Sequence, residues 1–151
     1  GILVDVSHLN DRGFADLLEI AQKPFAASHS NARSVCGHRR NLTDEQIRAL
    51  GNAGGMTGLN FGPEFLNPDI HCKDSTALQI AKHARHIADV GGVDCVGIGS
   101  DFDGIKGNLE ISDCTKLGLL EDALKKEGFS SDELEKIFYK NVIRVMKDTL
   151  R

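Results

Sequence analysis

The feature of the sequence that most constrains its fold is a fourfold alternation of short apolar segments with amphipathic helical patterns. Strands and helices that alternate in this way predict a parallel sheet whose strands are joined by right-handed crossovers. Strands are predicted over residues 2–7, 24–29, 56–61 and 95–99, and helices over 11–22, 43–51, 75–90, 115–127, 131–138 and 140–149. A doubly wound open sheet and half of a (β/α)8 barrel both fit this order of elements.

Residues with strong capping preferences mark several of the predicted helix ends. Asn10 is placed to cap the first helix, and the segments 43–46 and 130–133 have the spacing of capping boxes. Gly91 and Gly128 are predicted stops, because glycine adopts the left-handed conformation that ends a helix at little cost. These signals support the helical assignment independently of the apolar pattern.

Each of the four predicted strands is followed by a polar side chain that can bind a metal or take part in catalysis. These residues are His8, His29, Asn60 and Asp101, in the order of the strands. In a (β/α)8 barrel the carboxyl ends of all strands form one rim, where side chains from several strands build the active site. A doubly wound sheet instead concentrates its site at one switch point. The distribution favours an α/β barrel, and four βα units plus terminal helices make half of one.

The length of the chain suits one compact domain, which is predicted to span residues 1–151. The chain opens directly on the apolar segment 2–4, without a methionine or a leader pattern. We therefore expect the domain to be a portion of a longer polypeptide, other residues of which complete the barrel. A half-barrel has two open sheet edges, which are surfaces for pairing, so a homodimer is a further expectation.

His8 and His29 are the candidate metal ligands, because imidazole is the commonest protein ligand for a transition metal at neutral pH. A single histidine at a strand end is more often a buried residue that hydrogen-bonds the backbone. Two histidines on consecutive strands favour a shared metal ion instead. His83 and His86 are spaced to share a helix face, and His71 adjoins a cysteine, but these residues lie away from the predicted rim and are weak metal candidates.

Charged side chains near the same rim are candidates for catalysis and substrate binding. Asp101 follows its strand directly, and a carboxylate beside a metal can move a proton to or from bound water or a leaving amine. Asp103 fits a structural role in the turn before Gly104. The polar loop 31–42 contains Arg40. Its guanidinium would either hold a substrate carboxylate through two parallel hydrogen bonds or be a solvated loop residue.

Composition excludes some classes of function. The formal charge of −4, without any basic block, gives no reason to expect a nucleic-acid partner or an anionic membrane. No apolar run approaches the roughly 18 residues of a transmembrane helix. The cysteines include no CxxC pair; Cys95 is predicted to be a buried thiol, and a disulfide between Cys36 and Cys72 stays open. This cysteine usage slightly favours a cytoplasmic location.

Five short motifs occur in order along the chain and resemble a known family. They are Asp5-Val6-Ser7-His8, Ser28-His29-Ser30, Arg39-Arg40-Asn41-Leu42-Thr43-Asp44, Asn60-Phe61 and Gly99-Ser100-Asp101-Phe102-Asp103-Gly104. With these motifs, the sequence resembles the membrane (renal) dipeptidase family of zinc peptidases over nearly its whole length. The resemblance matches the C-terminal half of that family's (β/α)8 barrel, a metal-dependent hydrolase fold.

The resemblance implies zinc-dependent hydrolysis of the peptide bond of dipeptides, often with a D-residue accepted on the C-terminal side. His8 and His29 match the two histidines that hold one of the family's two zinc ions. Arg40 matches the arginine that binds the free carboxylate of the dipeptide, and Asn60 is expected to contribute to substrate binding. Asp101 matches the catalytic aspartate that handles protons at the metal-bridging water.

The resemblance also implies that part of the site lies outside this chain. The family's other zinc is held by a His-x-Asp motif, and a glutamate bridges both metals; both features would precede Gly1. We expect the chain alone to form at most one partial zinc site and to have no useful turnover, and its expected partner is the N-terminal half of the barrel. Two alternatives are a metal-dependent amidohydrolase or deaminase on the same fold, and a non-catalytic half-barrel module.

Overall fold

A computed structural model of the chain describes residues 1–69 and 71–150. The strands are β1 (Ala26–Ala27), β2 (Met56–Leu59), β3 (Asp74–Ser75), β4 (Val96–Ile98) and β5 (Asn108–Leu109). The α-helices are α1 (Asp11–Ile20), α2 (Asp44–Asn52), α3 (Pro63–Leu66), α4 (Ala77–Gly91), α5 (Leu117–Lys126), α6 (Ser131–Glu135) and α7 (Asn141–Leu150). Short 3-10 helices precede β4 and α5, at Val93–Cys95 and Cys114–Lys116, and a π-helix spans Lys136–Lys140. None of the described helices is long and apolar enough to cross a membrane.

The main sheet is parallel, so the carboxyl ends of its strands all lie at the same end of the sheet. Its strand order is β1-β2-β4, with Ala26 paired to Met56. The segment around Asp5 extends the sheet beyond β1 through a parallel bridge to Ala26, and the Val6 N–H donates to the Ala26 carbonyl at 2.8 Å. The four segments that were predicted as strands therefore lie side by side in chain order, as expected for consecutive βα units.

The first predicted strand, over residues 2–7, is reduced to that single bridge. The Ala26 N–H donates to the Val4 carbonyl at 3.0 Å, but the residues before Val4 lie outside the regular strands of the described chain, and Ile2 is 84% exposed. A strand at a sheet edge has hydrogen-bonding partners on one side only, so its outer end lacks the burial that stabilises a ladder. The apolar pattern predicted the position of this strand correctly but overestimated its length.

Two short elements are absent from the sequence-based prediction. Strands β3 and β5 form a separate parallel pair in which Asp74 faces Asn108, and strands of two residues carry no alternating pattern. The one-turn helix α3 begins with Pro63 at its first position, a known helix-start preference that could have revealed it. Asn67 joins the two elements, because its side-chain amide donates to the Asp74 carbonyl at 2.7 Å.

The residues predicted to cap the N-termini of helices occupy the expected positions. The Asn10 side chain accepts a hydrogen bond from a backbone N–H in the first turn of α1. Thr43 and Gln46 form a reciprocal capping box at the start of α2, and an equivalent box begins α6. Helix α4 keeps Gly91 in its last turn, and the positive φ of 84° that follows belongs to Gly92, so the predicted stop was one residue early.

The terminal helices predicted at 131–138 and 140–149 are one continuous helical segment. The π-helix Lys136–Lys140 joins α6 to α7 without a break. A π-turn inserts a residue into the helical repeat, so the apolar pattern changes phase at this point and resembles two separate helices. The Asn141 side chain, at the start of α7, donates to the Val96 carbonyl at 2.8 Å and attaches this segment to β4.

The main core is formed by the sheet together with the helices that pack against it. Its fully buried side chains come from both kinds of element and include Phe25, Ile47, Leu50, Leu59, Phe61, Ile80, Ile87, Leu120 and Leu124. Gly58 and Gly99 allow an especially close approach of the strand ends, because a Cβ atom on either residue would collide with the Ser28 carbonyl. This approach brings together the chain segments that carry the candidate site residues.

The cysteines are free thiols, so the disulfide that the sequence left open between Cys36 and Cys72 does not form. Cys36 is buried and directs its thiol to the Asn67 carbonyl at 3.0 Å. Cys95 is buried as predicted, and burial raises the pKa of its thiol to about 12. Both buried thiols therefore serve the packing of the core.

Candidate metal and active site

The imidazole rings of His8 and His29 meet at the end of the main sheet where the carboxyl ends of its strands lie. Their Nε2 atoms lie 2.9 Å apart, and their ring centroids lie 4.9 Å apart. Two imidazoles bound to one tetrahedral zinc ion at ordinary Zn–N lengths have nitrogens about 3.3 Å apart. The observed separation is therefore close to the one that a shared ion requires.

The local backbone aims both rings at this point. His8 has a positive φ of 74°, which is uncommon outside glycine, and the Leu9 N–H donates to the Val6 carbonyl to close the turn. On the neighbouring strand, the His29 N–H donates to Ser7 Oγ at 2.9 Å and ties the two histidine segments together. Backbone conformations of this kind persist where the surrounding structure enforces them, and they cluster at functional sites.

A chain of hydrogen bonds from Asp5 through Ser28 sets the tautomer of His29. Ser28 Oγ lies 2.6 Å from Asp5 Oδ2 and 2.7 Å from His29 Nδ1. A hydroxyl has one proton and an ionised carboxylate only accepts, so Ser28 donates to Asp5 and accepts from the Nδ1–H of His29. The Nε2 atom of His29 therefore carries the lone pair, which is what a metal ligand needs.

Asp5 is a residue to which the sequence pattern assigned no role. Burial alone would raise the pKa of its carboxyl, but hydrogen bonds from the Ser28 hydroxyl and from the N–H groups of Ser28 and Ser7 outweigh burial and lower the pKa. Metal-binding histidines commonly donate their other ring N–H to an acceptor of this kind. The acid is visible in the motif before His8, but only the fold places it beside Ser28 and so behind His29.

His8 faces the lone pair of His29 and donates its Nε2–H across the 2.9 Å contact. Burial lowers the pKa of His8, and the positive charge of Arg40 lowers it further, although the carboxylates of Asp101 and Asp5 oppose the shift. The shift favours the neutral ring, whose proton can move to Nδ1 and leave Nε2 to a cation. Both rings therefore have a form in which their nitrogens point at one position.

The guanidinium of Arg40 lies beside the histidines. Its Nη2 is 3.4 Å from His29 Nε2, and its Cζ lies 5.4 Å from the centroid of the Phe65 ring. Arg40 Nε is buried without a hydrogen-bond partner, and no carboxylate forms a salt bridge with this arginine within the described ranges. Burial lowers the pKa of Arg40, although Asp101 and Glu64 oppose the shift. A partly buried guanidinium with spare donors suits an anionic ligand.

Asp101 and Asn60 complete the set of polar side chains at the strand ends. Asp101 has a positive φ of 62°, as His8 does at the first strand, and its Oδ2 accepts a hydrogen bond from Asn60 Nδ2 at 3.0 Å. Asn60 is 1% exposed, and its Oδ1 accepts from the Gly62 N–H at 2.7 Å. The side chain of Asn60 therefore holds the Asp101 carboxylate in place.

These residues fit one part of a metal site. The convergent Nε2 atoms of His8 and His29 supply two nitrogen donors. Residues 1–69 and 71–150 contain no group of three or more His, Cys, Asp or Glu side chains that could hold a metal ion. Zinc in proteins takes four ligands, or three and a water. The donor set of the described chain is thus half of what a tetrahedral site needs.

Comparison with known proteins decides the family. The family model described as membrane dipeptidase, peptidase family M19, matches residues 1–151. The chain belongs to this family. The resemblance carried by the five motifs is thereby confirmed, and membership of an M19 metallopeptidase family implies a metal in the complete site.

The M19 relatives of this chain are longer than the chain itself. An uncharacterised protein from the pqqA 5′ region of Klebsiella pneumoniae is 40% identical over 146 residues, which are 96% of this chain and 54% of that protein. The dipeptidase tcpJ of Claviceps purpurea is 32% identical over 149 residues, which are 98% of this chain and 35% of that protein. The chain thus spans between about a third and a half of the length of these curated relatives.

A solved metallopeptidase structure has the same fold. The crystal structure of a metallopeptidase from Rhodobacter sphaeroides, liganded with a phosphinate mimic of the dipeptide L-Ala-D-Ala, matches with a TM-score of 0.89 at 36% sequence identity. The match covers 96% of this chain and 42% of that one. The α/β class predicted from the sequence is confirmed, and the fold corresponds to a part of the larger M19 structure.

Proposed function

We propose that the full-length protein is a zinc-dependent dipeptidase to which this chain contributes His8, His29, Arg40 and Asp101. The observation that carries the proposal is the 2.9 Å approach of two imidazole Nε2 atoms beside a partly buried guanidinium. Metal-binding nitrogens next to a carboxylate receptor suit hydrolysis of a substrate that ends in a free carboxylate. Membership of the M19 family supports the same conclusion.

The proposed architecture is the C-terminal half of a (β/α)8 barrel, with residues 1–151 as one domain portion. Its support is the parallel order of the segment around Asp5 with β1, β2 and β4, because the site residues follow the ends of these strands. Barrel enzymes build their sites in this way from several strands. The N-terminal half of the barrel, with the remaining metal ligands, is the proposed partner of this chain.

Zinc is the proposed metal, with two ions in the complete site and one of them held by His8 and His29. Imidazole nitrogen is a common zinc ligand, and the Asp5–Ser28 contact fixes the ring of His29 for this purpose. When bound, zinc lowers the pKa of a coordinated water to near 7 and polarises the peptide carbonyl. The rest of the chemistry falls to the side chains of the protein.

Asp101 is the proposed proton carrier. Its Oδ2 is held by Asn60 at 3.0 Å, which leaves the second carboxylate oxygen to take up a proton as the peptide bond is attacked and to return it to the leaving amine. For Asn60 we now propose support of Asp101 in place of the direct substrate contact expected from the sequence. Its side-chain oxygen binds the Gly62 N–H, its amide binds Asp101, and the residue is 1% exposed.

Arg40 is the proposed receptor for the free carboxylate of a dipeptide. Its guanidinium lies over Phe65 and beside His29, so a bound carboxylate would sit next to the metal-binding nitrogens. The Rhodobacter sphaeroides metallopeptidase was crystallised with a phosphinate mimic of L-Ala-D-Ala. That ligand supports dipeptides, including those with a D-residue on the C-terminal side, as the substrate class of the present protein.

A cytoplasmic location and homodimerisation stay predictions. The location is supported by the free thiols Cys36, Cys72, Cys95 and Cys114, which suit a reducing compartment. The homodimer is supported by the open sheet edge near Ile2, which is 84% exposed.

Hydrolysis of L-Ala-D-Ala and L-Ala-L-Ala by the full-length protein supplied with zinc tests the proposed function. A nucleoside serves as the competing substrate for a deaminase on the same fold. We expect release of free amino acids and no deamination. Turnover of the nucleoside alone, or no hydrolysis at full zinc occupancy, would overturn the proposal.

Arg40→Ala in the full-length protein tests the carboxylate receptor. We expect KM for a dipeptide to rise about 10–100-fold, because hydrogen bonds to a charged group contribute about 1.5–3 kcal/mol. Arg39→Ala is the matched control, since Arg39 is the exposed neighbour on the same loop. A dipeptide amide should bind weakly to the parent protein and no more weakly to the variant. An unchanged KM in Arg40→Ala would remove this role from Arg40 and leave the dipeptidase proposal in place.

A further inference from the structure

Asn31 is a buried polar residue whose side-chain amide hydrogen-bonds a backbone N–H and a backbone carbonyl, as the backbone of a neighbouring strand would do. It is 0% exposed and lies two residues after His29. Its Oδ1 accepts from the Asn60 N–H at 2.9 Å, and its Nδ2 donates to the Asn60 carbonyl at 2.9 Å. The side-chain amide thus binds both backbone groups of the residue whose own side chain holds Asp101.

The same side chain also contacts Phe65, the residue against whose ring the Arg40 guanidinium lies. Asn31 Nδ2 lies 3.4 Å from the Phe65 carbonyl, and Asn41 Nδ2 donates to that carbonyl at 2.9 Å. The Arg40 guanidinium lies over the ring of Phe65. Asn41 also follows Arg40 in the chain, so the arginine is placed both by its own backbone and by the ring beside it.

We infer that Asn31 is a positioning residue that sets the spacing between the Asp101 carboxylate and the Arg40 guanidinium. Its effect passes through Asn60 on one side and Phe65 on the other, which are 1% and 9% exposed. Buried groups in close packing transmit a displacement because they have no free volume to absorb it. The inference rests on the proposed dipeptidase function.

This spacing has a chemical meaning for the substrate. In a dipeptide of two α-amino acids, one carbon atom separates the nitrogen of the cleaved bond from the free carboxylate, whereas in a dipeptide that ends in β-alanine two carbon atoms separate them. A fixed distance between the proton carrier and the carboxylate receptor therefore favours a C-terminal α-amino acid. Geometry errors of about 1 Å at a reacting centre can cost on the order of 100-fold in rate. Asn31 is accordingly the residue that fits this distance to the substrate.

Asn31→Ala in the full-length protein is the direct test. We expect kcat to fall and KM to rise for L-Ala-D-Ala, each by about tenfold per folded molecule, because both groups are displaced. We also expect the preference for L-Ala-D-Ala over L-Ala-β-Ala to shrink by a similar factor, which a loss of folded protein alone would not cause.

Asn141→Ala is the matched control. Asn141 is 2% exposed, and its amide likewise bridges two backbone carbonyls, those of Val93 at 2.9 Å and Val96 at 2.8 Å. Both substitutions should lower the unfolding temperature. Only Asn31→Ala should change KM, kcat and the preference for L-Ala-D-Ala over L-Ala-β-Ala.

Two further variants separate the effect that passes through Phe65 from the effect that passes through Asn60. Asn41→Ala removes hydrogen bonds to the Phe65 and Cys36 carbonyls but none to Asn60 or Asp101, and should raise KM with little change in kcat. Asn60→Ala frees Asp101 and should lower kcat with little change in KM. These variants carry the test if Asn31→Ala does not fold. Equal effects of both variants on KM and kcat would overturn the inference.

The outcomes distinguish this inference from the proposed function. A parent protein that hydrolyses no dipeptide overturns the proposed function. An active parent whose Asn31→Ala variant keeps its KM, kcat and preference for L-Ala-D-Ala over L-Ala-β-Ala overturns only the inference. A crystal structure of Asn31→Ala that retains both the Asn60–Asp101 hydrogen bond and the Arg40–Phe65 contact would also overturn it, independently of any activity.

Discussion

Two histidine pairs in this chain, His8 with His29 and His83 with His86, differ in what their ring nitrogens contact. At the sheet edge, His8 and His29 bring their Nε2 atoms within 2.9 Å of each other. On α4, His83 is fully buried, and its two ring nitrogens are 3.1 Å from the Ala32 N–H and 3.4 Å from the Leu66 carbonyl. The backbone thus occupies both nitrogens of His83, whereas the Nε2 atoms at the sheet edge face each other.

His86, the second histidine of α4, also differs from its counterpart at the sheet edge. Its Nε2 lies 2.7 Å from Asp44 Oδ1, and Ser34 Oγ donates to the same oxygen at 2.9 Å. A serine, an aspartate and a histidine meet here as they do around His29. Around His29, however, the serine stands between the acid and the ring and leaves Nε2 available. A histidine pair is therefore a metal candidate when its ring nitrogens converge on one point and are not held by backbone groups or carboxylates, whatever its spacing along the chain.

The largest expected effect that tests this contrast is the loss of metal in His29→Ala. In the full-length protein, we expect zinc at this position to be lost and kcat/KM to fall by more than about 100-fold. Removing a residue that only hydrogen-bonds a metal ligand costs less than this. Elemental analysis and steady-state kinetics measure both. His86→Ala is the control and should keep its metal and activity. Full zinc retention in His29→Ala would remove its role as a ligand.

A smaller effect is expected from the buried histidine as the pH falls. Burial lowers the pKa of His83 to about 4, although its hydrogen bond to the Leu66 carbonyl opposes the shift. In the unfolded chain a histidine titrates near 6.5, so below that pH the unfolded state binds more protons than the folded state. Stability is therefore complete above about pH 6.5 and declines toward pH 4, by roughly 3 kcal/mol once His83 is protonated.

Denaturant unfolding of the full-length protein between pH 4 and 7 measures this decline. The variant His83→Gln cannot gain a proton, so its stability should depend less steeply on pH than that of the parent. The same pH dependence in both proteins would show that His83 is not the source.

The smallest expected effect concerns the Ser28 hydroxyl, which lies between the Asp5 carboxylate and the ring of His29. Ser28→Ala removes the acceptor of the His29 Nδ1–H, and we expect zinc affinity to fall about tenfold, as is usual when a supporting group of a ligand is lost. Competition with a chelator measures the affinity. Ser34→Ala removes the corresponding hydroxyl beside His86 and should leave zinc affinity unchanged. A loss in both variants would contradict the proposed difference between the two pairs.

Sequence reasoning succeeded where the signal is local. The order of strands and helices and the capping boxes at Thr43 and Ser130 follow from apolar spacing and from side chains that bind nearby backbone groups. It also placed His8 and His29 at the ends of adjacent strands, because consecutive βα units carry their strand ends to one edge. Local patterns therefore sufficed for the fold class and for placing the two candidate histidines at the same end of the sheet.

Sequence reasoning failed where the outcome depends on partners distant in the chain. The first strand is shorter than its apolar run because an edge position limits its hydrogen bonding. The hydrogen bonds of Asn60 to Asp101 and Gly62 have no signal in the sequence, and neither have those of Asn31, whose partners lie about thirty residues away. Neither relation has a spacing that a one-dimensional pattern can show.

The sequence by itself determined that the chain is an α/β protein with histidines and an aspartate at its strand ends and an arginine in the loop 31–42, because these properties depend on neighbours along the backbone. Only the tertiary structure decided which nitrogen of His29 carries the lone pair, that Asp5 stands behind Ser28, and that Arg40 lies over Phe65. Hydrogen bonds act over about 3 Å, and only folding brings such distant residues within that range.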